Sequence, residues 1–188
     1  MAVCFSKNPQ KSIAKAIFLD RDGTLNVDYG YVYQPEKIHL LPGVPEALDL
    51  FIQKDFLLFL FTNQPGIERG MYTRQDVEAC HQRLQTLLGP TRCFQEICIA
   101  AEAEVALHHY RKPSPRFILE MLEKYHLDPQ QSYMVGDKET DAFAGLSGGI
   151  HSILLDSDYP RSERCKTLIA EGRIHCLPTL LDFARTLA

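Results

Sequence analysis

The chain has 188 residues, 45% hydrophobic and 23% charged, with a formal net charge of -4 at pH 7. That is ordinary globular composition, and the length suits one domain, 1–188, with residues 1–14 as a loose N-terminal extension. No Lys/Arg run exceeds two residues, so neither nucleic acid nor an acidic membrane is an expected partner, and the six scattered cysteines, with no CxxC or CxH pair, suit a reduced cytoplasmic chain.

The N-terminus, "MAVCFSKNPQKSIAK", has no apolar core of a secretory signal. "AIFL" (Ala16–Leu19) reads as a buried strand. The following "GVPEALDLFIQKD" puts Val44, Leu48, Phe51 and Ile52 on one helix face. "FLLFLF" (Phe56–Phe61) is a strand apolar throughout, as expected when both sheet faces are covered, and far too short to span a bilayer. Thr73 opens "TRQDVEACHQRLQTLL" with Asp76 three residues on, a capping-box-like start. "EICIAA" is a weaker third strand. Ser114-Pro115 reads as N-cap and N1 of "SPRFILEMLEKYHL". "SYMVGD" and "HSILLD" follow as strands, with a short helix at about Glu139–Leu146 between them. "LPTLLDFARTLA" closes the chain as a helix. Strand–helix alternation on this scale predicts an α/β fold with a mostly parallel sheet and helices on both faces.

Two stretches break the alternation: Asn26–Gly43, with three tyrosines, and Glu102–Pro113. Both leave the carboxyl ends of strands, where open α/β sheets bind ligands. Tyr29, Tyr31 and Tyr33 either cover core surface or wall a site.

Chemistry-bearing residues recur at the same sheet edge. "DRDGT" supplies Asp20 and Asp22, "FTNQPG" supplies Thr62 and Asn63, "RKP" supplies Arg111 and Lys112, and "VGDKETD" supplies Asp137 and Asp141. Clustered carboxylates need a counter-charge, and beside a phosphate Mg²⁺ is the common one. With that charge and Lys112 screening it, Asp20 can attack phosphorus and form an aspartyl-phosphate. Asp22 can protonate the leaving oxygen and later take a proton from water. Thr62 and Lys112 can hold phosphoryl oxygens, since such transfers are mostly positioning and charge stabilisation. Asp20, Asp22 and Asp137 are the expected metal ligands. For Asp141, direct ligation and a supporting role both stand.

DxDGT at Asp20–Thr24, Thr62, Lys112 and GDxxxD resemble, in order, the four motifs of the haloacid dehalogenase (HAD)-type phosphohydrolases, over about Ala16–Leu155. "FLDRDGTLNVDYGYV", "TNQPGIERGMY", "RKPSP" and "YMVGDKETD" further resemble the D-glycero-D-manno-heptose 1,7-bisphosphate phosphatases of lipopolysaccharide-precursor synthesis, which sit close to the histidinol-phosphate phosphatases. The resemblance implies a Rossmann-like fold with little or no cap, Mg²⁺ dependence, and substrate contacts from Asn63, Arg111, Lys112 and Lys138. It also implies that "VDYGYV" belongs to the loop over the active site. One departure stands out. That family carries a zinc loop with Cys-x-His early and Cys-x-Cys just before Arg-Lys-Pro. Here "CIAAEAEVALHHYRKP" has neither pair, with His108 and Tyr110 in place of the second, so zinc is not expected. A metal role for His108 or His109 is disfavoured.

The expected partner is a small sugar phosphate, and the favoured state is a monomer. Competing readings are a histidinol-phosphate phosphatase, a polynucleotide 3′-phosphatase sharing "TNQxGI", and a phospho-acceptor domain without turnover. The acidic balance counts against the nucleic-acid reading, and Asp22 counts against the phospho-acceptor, which needs no such acid.

Overall fold

The computed structural model describes residues 14–106 and 109–187. The expected extension up to residue 13, and His108, lie outside the described residues.

Six strands, β1 (Lys15–Leu19), β2 (Phe56–Asn63), β3 (Glu96–Ala100), β4 (Tyr133–Gly136), β5 (His151–Leu155) and β6 (Ile174–Leu177), form one sheet in the order β3-β2-β1-β4-β5-β6. Every pairing is parallel. Six helices connect or follow them: α1 (Val44–Gln53), α2 (Arg74–Leu88), α3 (Arg116–Tyr125), α4 (Glu139–Ser147), α5 (Glu163–Ala170) and α6 (Leu180–Thr186). No helix among the described residues is long and apolar enough to cross a membrane.

Side chains alternate across a strand, and here both faces are covered. Ile17, Leu19, Leu58 and Leu60 pack toward Val44, Leu48 and Phe51 of α1 and Phe183 of α6. Ala16, Phe18, Phe59 and Phe61 pack toward Phe117, Ile118 and Met121 of α3. Phe18 stacks on Phe59 at 4.8 Å and meets Phe117 edge-on at 5.9 Å. Each buried Val, Leu, Ile, Phe or Met side chain among them contributes about 1.5–3 kcal/mol relative to exposure.

Thr73 caps α2 by the expected box, accepting from the Asp76 N–H while Asp76 accepts from the Thr73 N–H. Three expectations shift. Ile52 is 37% exposed and Ala47 takes its place on the buried face of α1, because the helix turns Val44, Ala47, Leu48 and Phe51 to one side. Pro115, not Ser114, is the N-cap of α3, and the Ser114 hydroxyl accepts from the Arg116 N–H. The tail between β5 and α6 folds into α5 and β6, whose Cys165, Leu168 and Ile174 pack with Ala142 and Leu154. The cysteines divide: Cys80, Cys98 and Cys165 are buried, Cys176 is exposed.

Chain order reverses between β1 and β4. The next sequential strands leave β1 in one direction and β4 in the other. That switch point opens a crevice at the carboxyl ends of the strands.

Candidate active site

The crevice is where β1 and β4 end. Asp20 and Asp22 follow β1, and the Asp20 N–H donates to the Val135 carbonyl at 3.0 Å, tying the two strands at that point. Asp137 and Lys138 follow β4, and Asp141 lies in the first turn of α4. Thr62 and Asn63 end β2, and Lys112 arrives from the loop between β3 and α3.

Carboxylate oxygens of Asp20, Asp137 and Asp141 lie within 4.8 Å of one another, and all three residues are buried. This group shares Asp20 and Asp137 with the expected set and adds Asp141, while the Asp22 carboxylate is taken up by Arg21, Asn26 and Gln64. Asp137 Oδ1 is buried with no hydrogen-bond partner, and Lys138 Nζ stands 4.0 Å from it. Burial, then the charge of Asp20, pushes the Asp137 carboxyl up to about 7. An orphaned anionic oxygen among hard oxygen donors fits a small divalent cation such as Mg²⁺. The backbone leaves room for the group. Gly23 holds φ +79, and a Cβ there would lie 2.2 Å from Asp137 Oδ2. A Cβ on Gly136 would lie 2.2 Å from Asp141 Oδ2. Only glycine permits either approach.

Lys112 is the internal counter-charge. Its Nζ donates to the Phe61 carbonyl at 2.7 Å and pairs with Asp20 Oδ1 at 2.9 Å and Asp141 Oδ1 at 2.6 Å. Burial disfavours its charge, but Asp141 and Asp20 outweigh that and hold its pKa above the ordinary lysine range. Three partners use the three donors of an ammonium. Asp141 Oδ2 also accepts from the Lys138 N–H at 3.0 Å, so both Asp141 oxygens are engaged.

Asp22 is held quite differently. Oδ1 accepts from Arg21 Nε at 3.1 Å and Asn26 Nδ2 at 2.9 Å. Oδ2 accepts from Arg21 Nη2 at 2.8 Å and Gln64 Nε2 at 3.1 Å. Burial raises its pKa, against the pull of Arg21 and Asn26. Thr62 Oγ1 is buried and accepts from Gln64 Nε2 at 2.9 Å.

The expected substrate contacts divide. Asn63 is engaged with the main chain of Lys112, donating to its carbonyl at 3.1 Å and accepting from its N–H at 2.9 Å. Arg111 is half-buried and donates to the Glu102 carbonyl at 3.2 Å. Burial, then the charge of Arg69, lowers its pKa. Lys138 Nζ pairs with Asp28 at 2.8 Å and lies 4.5 Å over the Tyr159 ring. Burial opposes its charge, but Asp20, Asp137 and Asp28 hold its pKa above the ordinary lysine range. His109 Nδ1 lies 3.1 Å from the Glu104 carbonyl. The tyrosines also divide. Tyr29 and Tyr31 are exposed, whereas Tyr33 stacks on Tyr72 at 5.0 Å.

Sequence reading passed over Arg21, Asn26, Gln64, Tyr72 and Asp28. Gln64 was visible as the residue after "TN" in the quoted "FTNQPG", and a polar residue just past a buried strand end was the available signal. Arg21 gave no such signal, since an arginine at the variable position of DxDGT reads as solvated until its burial is seen.

A sequence model of the HAD-hydrolase-like family matches residues 109–183. The D-glycero-beta-D-manno-heptose-1,7-bisphosphate 7-phosphatase of Helicobacter pylori is 38% identical over 148 residues, covering 75% of this chain and 83% of that protein. The D,D-heptose 1,7-bisphosphate phosphatase of B. bronchiseptica, solved with magnesium and phosphate, superposes with a TM-score of 0.77 at 25% identity, covering 93% of this chain and 98% of that one. A HAD-like phosphatase from Mesorhizobium loti gives a TM-score of 0.72 at 29% identity, covering 98% and 92%. With a six-stranded parallel sheet, no large cap among the described residues and carboxylates gathered at its switch point, this chain belongs to the HAD-type phosphatases, in the D-glycero-D-manno-heptose 1,7-bisphosphate 7-phosphatase family.

Proposed function

We propose that the chain removes the 7-phosphate of D-glycero-D-manno-heptose 1,7-bisphosphate, with Asp20 as nucleophile. The observation that carries this is the buried Asp20, gripped by Lys112 and set beside the orphaned Asp137 oxygen at the switch point. The substrate rests on the relatives named above. A cavity of about 570 Å³ beside Asp137 and Gly23 is of a size for a small molecule.

Asp20 and Asp137 would hold Mg²⁺, which when bound neutralises charge on the acids and on the phosphoryl oxygens. An Asp20 carboxylate oxygen forms a bond to phosphorus as the phosphorus–ester oxygen bond breaks. Asp22, whose carboxyl burial pushes above its ordinary value against the pull of Arg21 and Asn26, gives a proton to the leaving sugar oxygen. Water then attacks the aspartyl-phosphate, Asp22 takes its proton, and the bond between phosphorus and Asp20 breaks to release phosphate. Lys112 steers Asp20 while Asp141 steers Lys112, and the Thr62 hydroxyl is the donor for a phosphoryl oxygen. Asn63 fixes the main chain of Lys112 rather than reaching outward. Arg111 and Lys138 would supply the cations for the rest of the substrate.

The test is Mg²⁺-dependent phosphate release from the heptose bisphosphate, histidinol phosphate and a 3′-phosphorylated oligonucleotide. The heptose bisphosphate is expected to turn over far faster than the other two, and Asp20→Asn to lose at least ~10⁴-fold in kcat. Equal, feeble turnover of all three removes the substrate assignment. Full activity in Asp20→Asn removes the nucleophile.

A further inference from the structure

The Gln64 carboxamide lies between two groups of the proposed mechanism. Its Nε2 donates to Thr62 Oγ1 at 2.9 Å and to Asp22 Oδ2 at 3.1 Å, and its side chain is 2% exposed. Its Oε1 accepts from the Tyr72 hydroxyl at 2.9 Å. The two ends of this amide are not interchangeable. Asp22 Oδ2 already stands as an acceptor for Arg21 Nη2 at 2.8 Å, so the nitrogen end faces Asp22. The Tyr72 proton then fixes the oxygen end.

Tyr72 is itself pinned. Its ring stacks on Tyr33, with planes 13° apart, and passes so close to Gly66 that a Cβ there would lie 2.1 Å from the ring. The loop between them is closed by the Met71 N–H donating to the Gly66 carbonyl at 2.8 Å, and anchored to β3 by the Gln64 N–H donating to the Ala100 carbonyl at 2.6 Å.

The donors to Asp22 differ in origin. Arg21 and Asn26 sit on the same short loop as Asp22, and would move with it. Gln64 comes from the end of β2, 42 residues away. It alone among these donors relates the Asp22 carboxyl to Thr62, and so to the place of the phosphoryl group.

We infer that Gln64, locked by Tyr72, is a positioning residue that holds the Asp22 carboxyl at the leaving-group oxygen and keeps it in register with Thr62. This rests on the reading of Asp22 as the acid. A positioning role of this kind has a signature that packing lacks. Loss of proton donation matters for an alkoxide leaving group and little for p-nitrophenolate, which leaves unaided. Damage to Thr62 or to the fold slows both substrates alike.

The experiment compares kcat/KM, which reports the steps through leaving-group departure and not the water step common to both substrates, on the sugar bisphosphate and on p-nitrophenyl phosphate, for Gln64→Met, Tyr72→Phe and Asp22→Asn. Gln64→Met is expected to lose about 10–100-fold in kcat/KM on the sugar substrate and less than about 3-fold on the aryl one, a part of what general acid catalysis supplies. Tyr72→Phe keeps the ring and releases only the amide lock. It is expected to show the same pattern at about 3–10-fold, and it decides the matter if Gln64→Met does not fold. Equal loss on both substrates, or none, overturns the inference where Asp22→Asn still discriminates between them. If Asp22→Asn itself slows both equally, the acid reading falls and this inference falls with it.

Discussion

Two sets of carboxylates share one sheet edge and are satisfied in opposite ways. Asp22 has four donors within 3.1 Å, from Arg21, Asn26 and Gln64. Asp137 has an oxygen with none. Asp20 and Asp141 share one ammonium. Buried polar groups in folded proteins are almost always paired, so an exception asks for a reason. A proton carrier needs fixed direction, which protein donors provide. A metal ligand needs an open lone pair, which protein donors would fill. On the proposed mechanism, Asp20 and Asp22 of one motif take two jobs by where the chain turns after Leu19, with Gly23 at positive φ making that turn.

The comparison breaks most sharply at Lys112. Lys112→Met leaves Asp20 and Asp141 buried and facing each other without their cation. Removing one partner from a buried ion pair costs about 3–5 kcal/mol. In metal-free buffer the urea midpoint is expected to fall by the corresponding amount, and excess Mg²⁺ to restore part of it. An unchanged midpoint would mean that the acids are not held by the lysine.

Asp137→Asn tests the unsatisfied side without changing its shape. Mg²⁺ affinity, read by calorimetry, is expected to weaken by more than about 100-fold, beyond what losing an outer-shell partner costs. The metal-free variant should nevertheless unfold at higher urea than the wild-type protein at pH 8, since a crowded buried charge has gone. Loss of metal-free stability instead would mean that Asp137 is held by the protein rather than left open for a cation.

How legible was this edge beforehand? The alternation of apolar strands and amphipathic helices was open to reading because both faces of β1 and β2 are covered, so Ala16–Leu19 and Phe56–Phe61 are apolar throughout. "IHCL" of β6 was not, since it is a short edge strand with exposed His175 and Cys176. "ERCKTLIA" of α5 buries only Cys165 and Leu168, too little periodicity to find. Within the site, residue types at strand ends announced an acid cluster, because spacing along the chain translates into position at the sheet edge. The direction of each side chain did not follow. The Asp22 carboxylate turns to Arg21, Asn26 and Gln64 and Asp141 joins Asp20 and Asp137, an arrangement that depends on a buried Arg21 and a capped α4. Spacing carries no information about either partner.

The smallest expected effect is the most diagnostic of the difference between the two acids. Burial and Asp20 hold the Asp137 carboxyl at about 7, against 3.8 for an unperturbed one. Between those values the metal-free folded protein keeps a proton that the unfolded chain has lost. Its contribution to stability therefore falls as pH rises from about 4 toward 7. Mg²⁺ requires the deprotonated form, so binding runs the other way: affinity strengthens as pH rises and levels off above about 7. The dissociation constant is expected to be about tenfold weaker at pH 6 than at pH 8. The Mg²⁺-induced rise in Tm, which grows with the logarithm of ligand over dissociation constant, should be larger at pH 8. In Asp137→Asn that pH dependence should vanish along with most of the affinity. A dissociation constant flat from pH 6 to pH 8 in the wild-type protein would mean that the open oxygen of Asp137 carries no titrating charge, and the contrast with Asp22 would lose its basis.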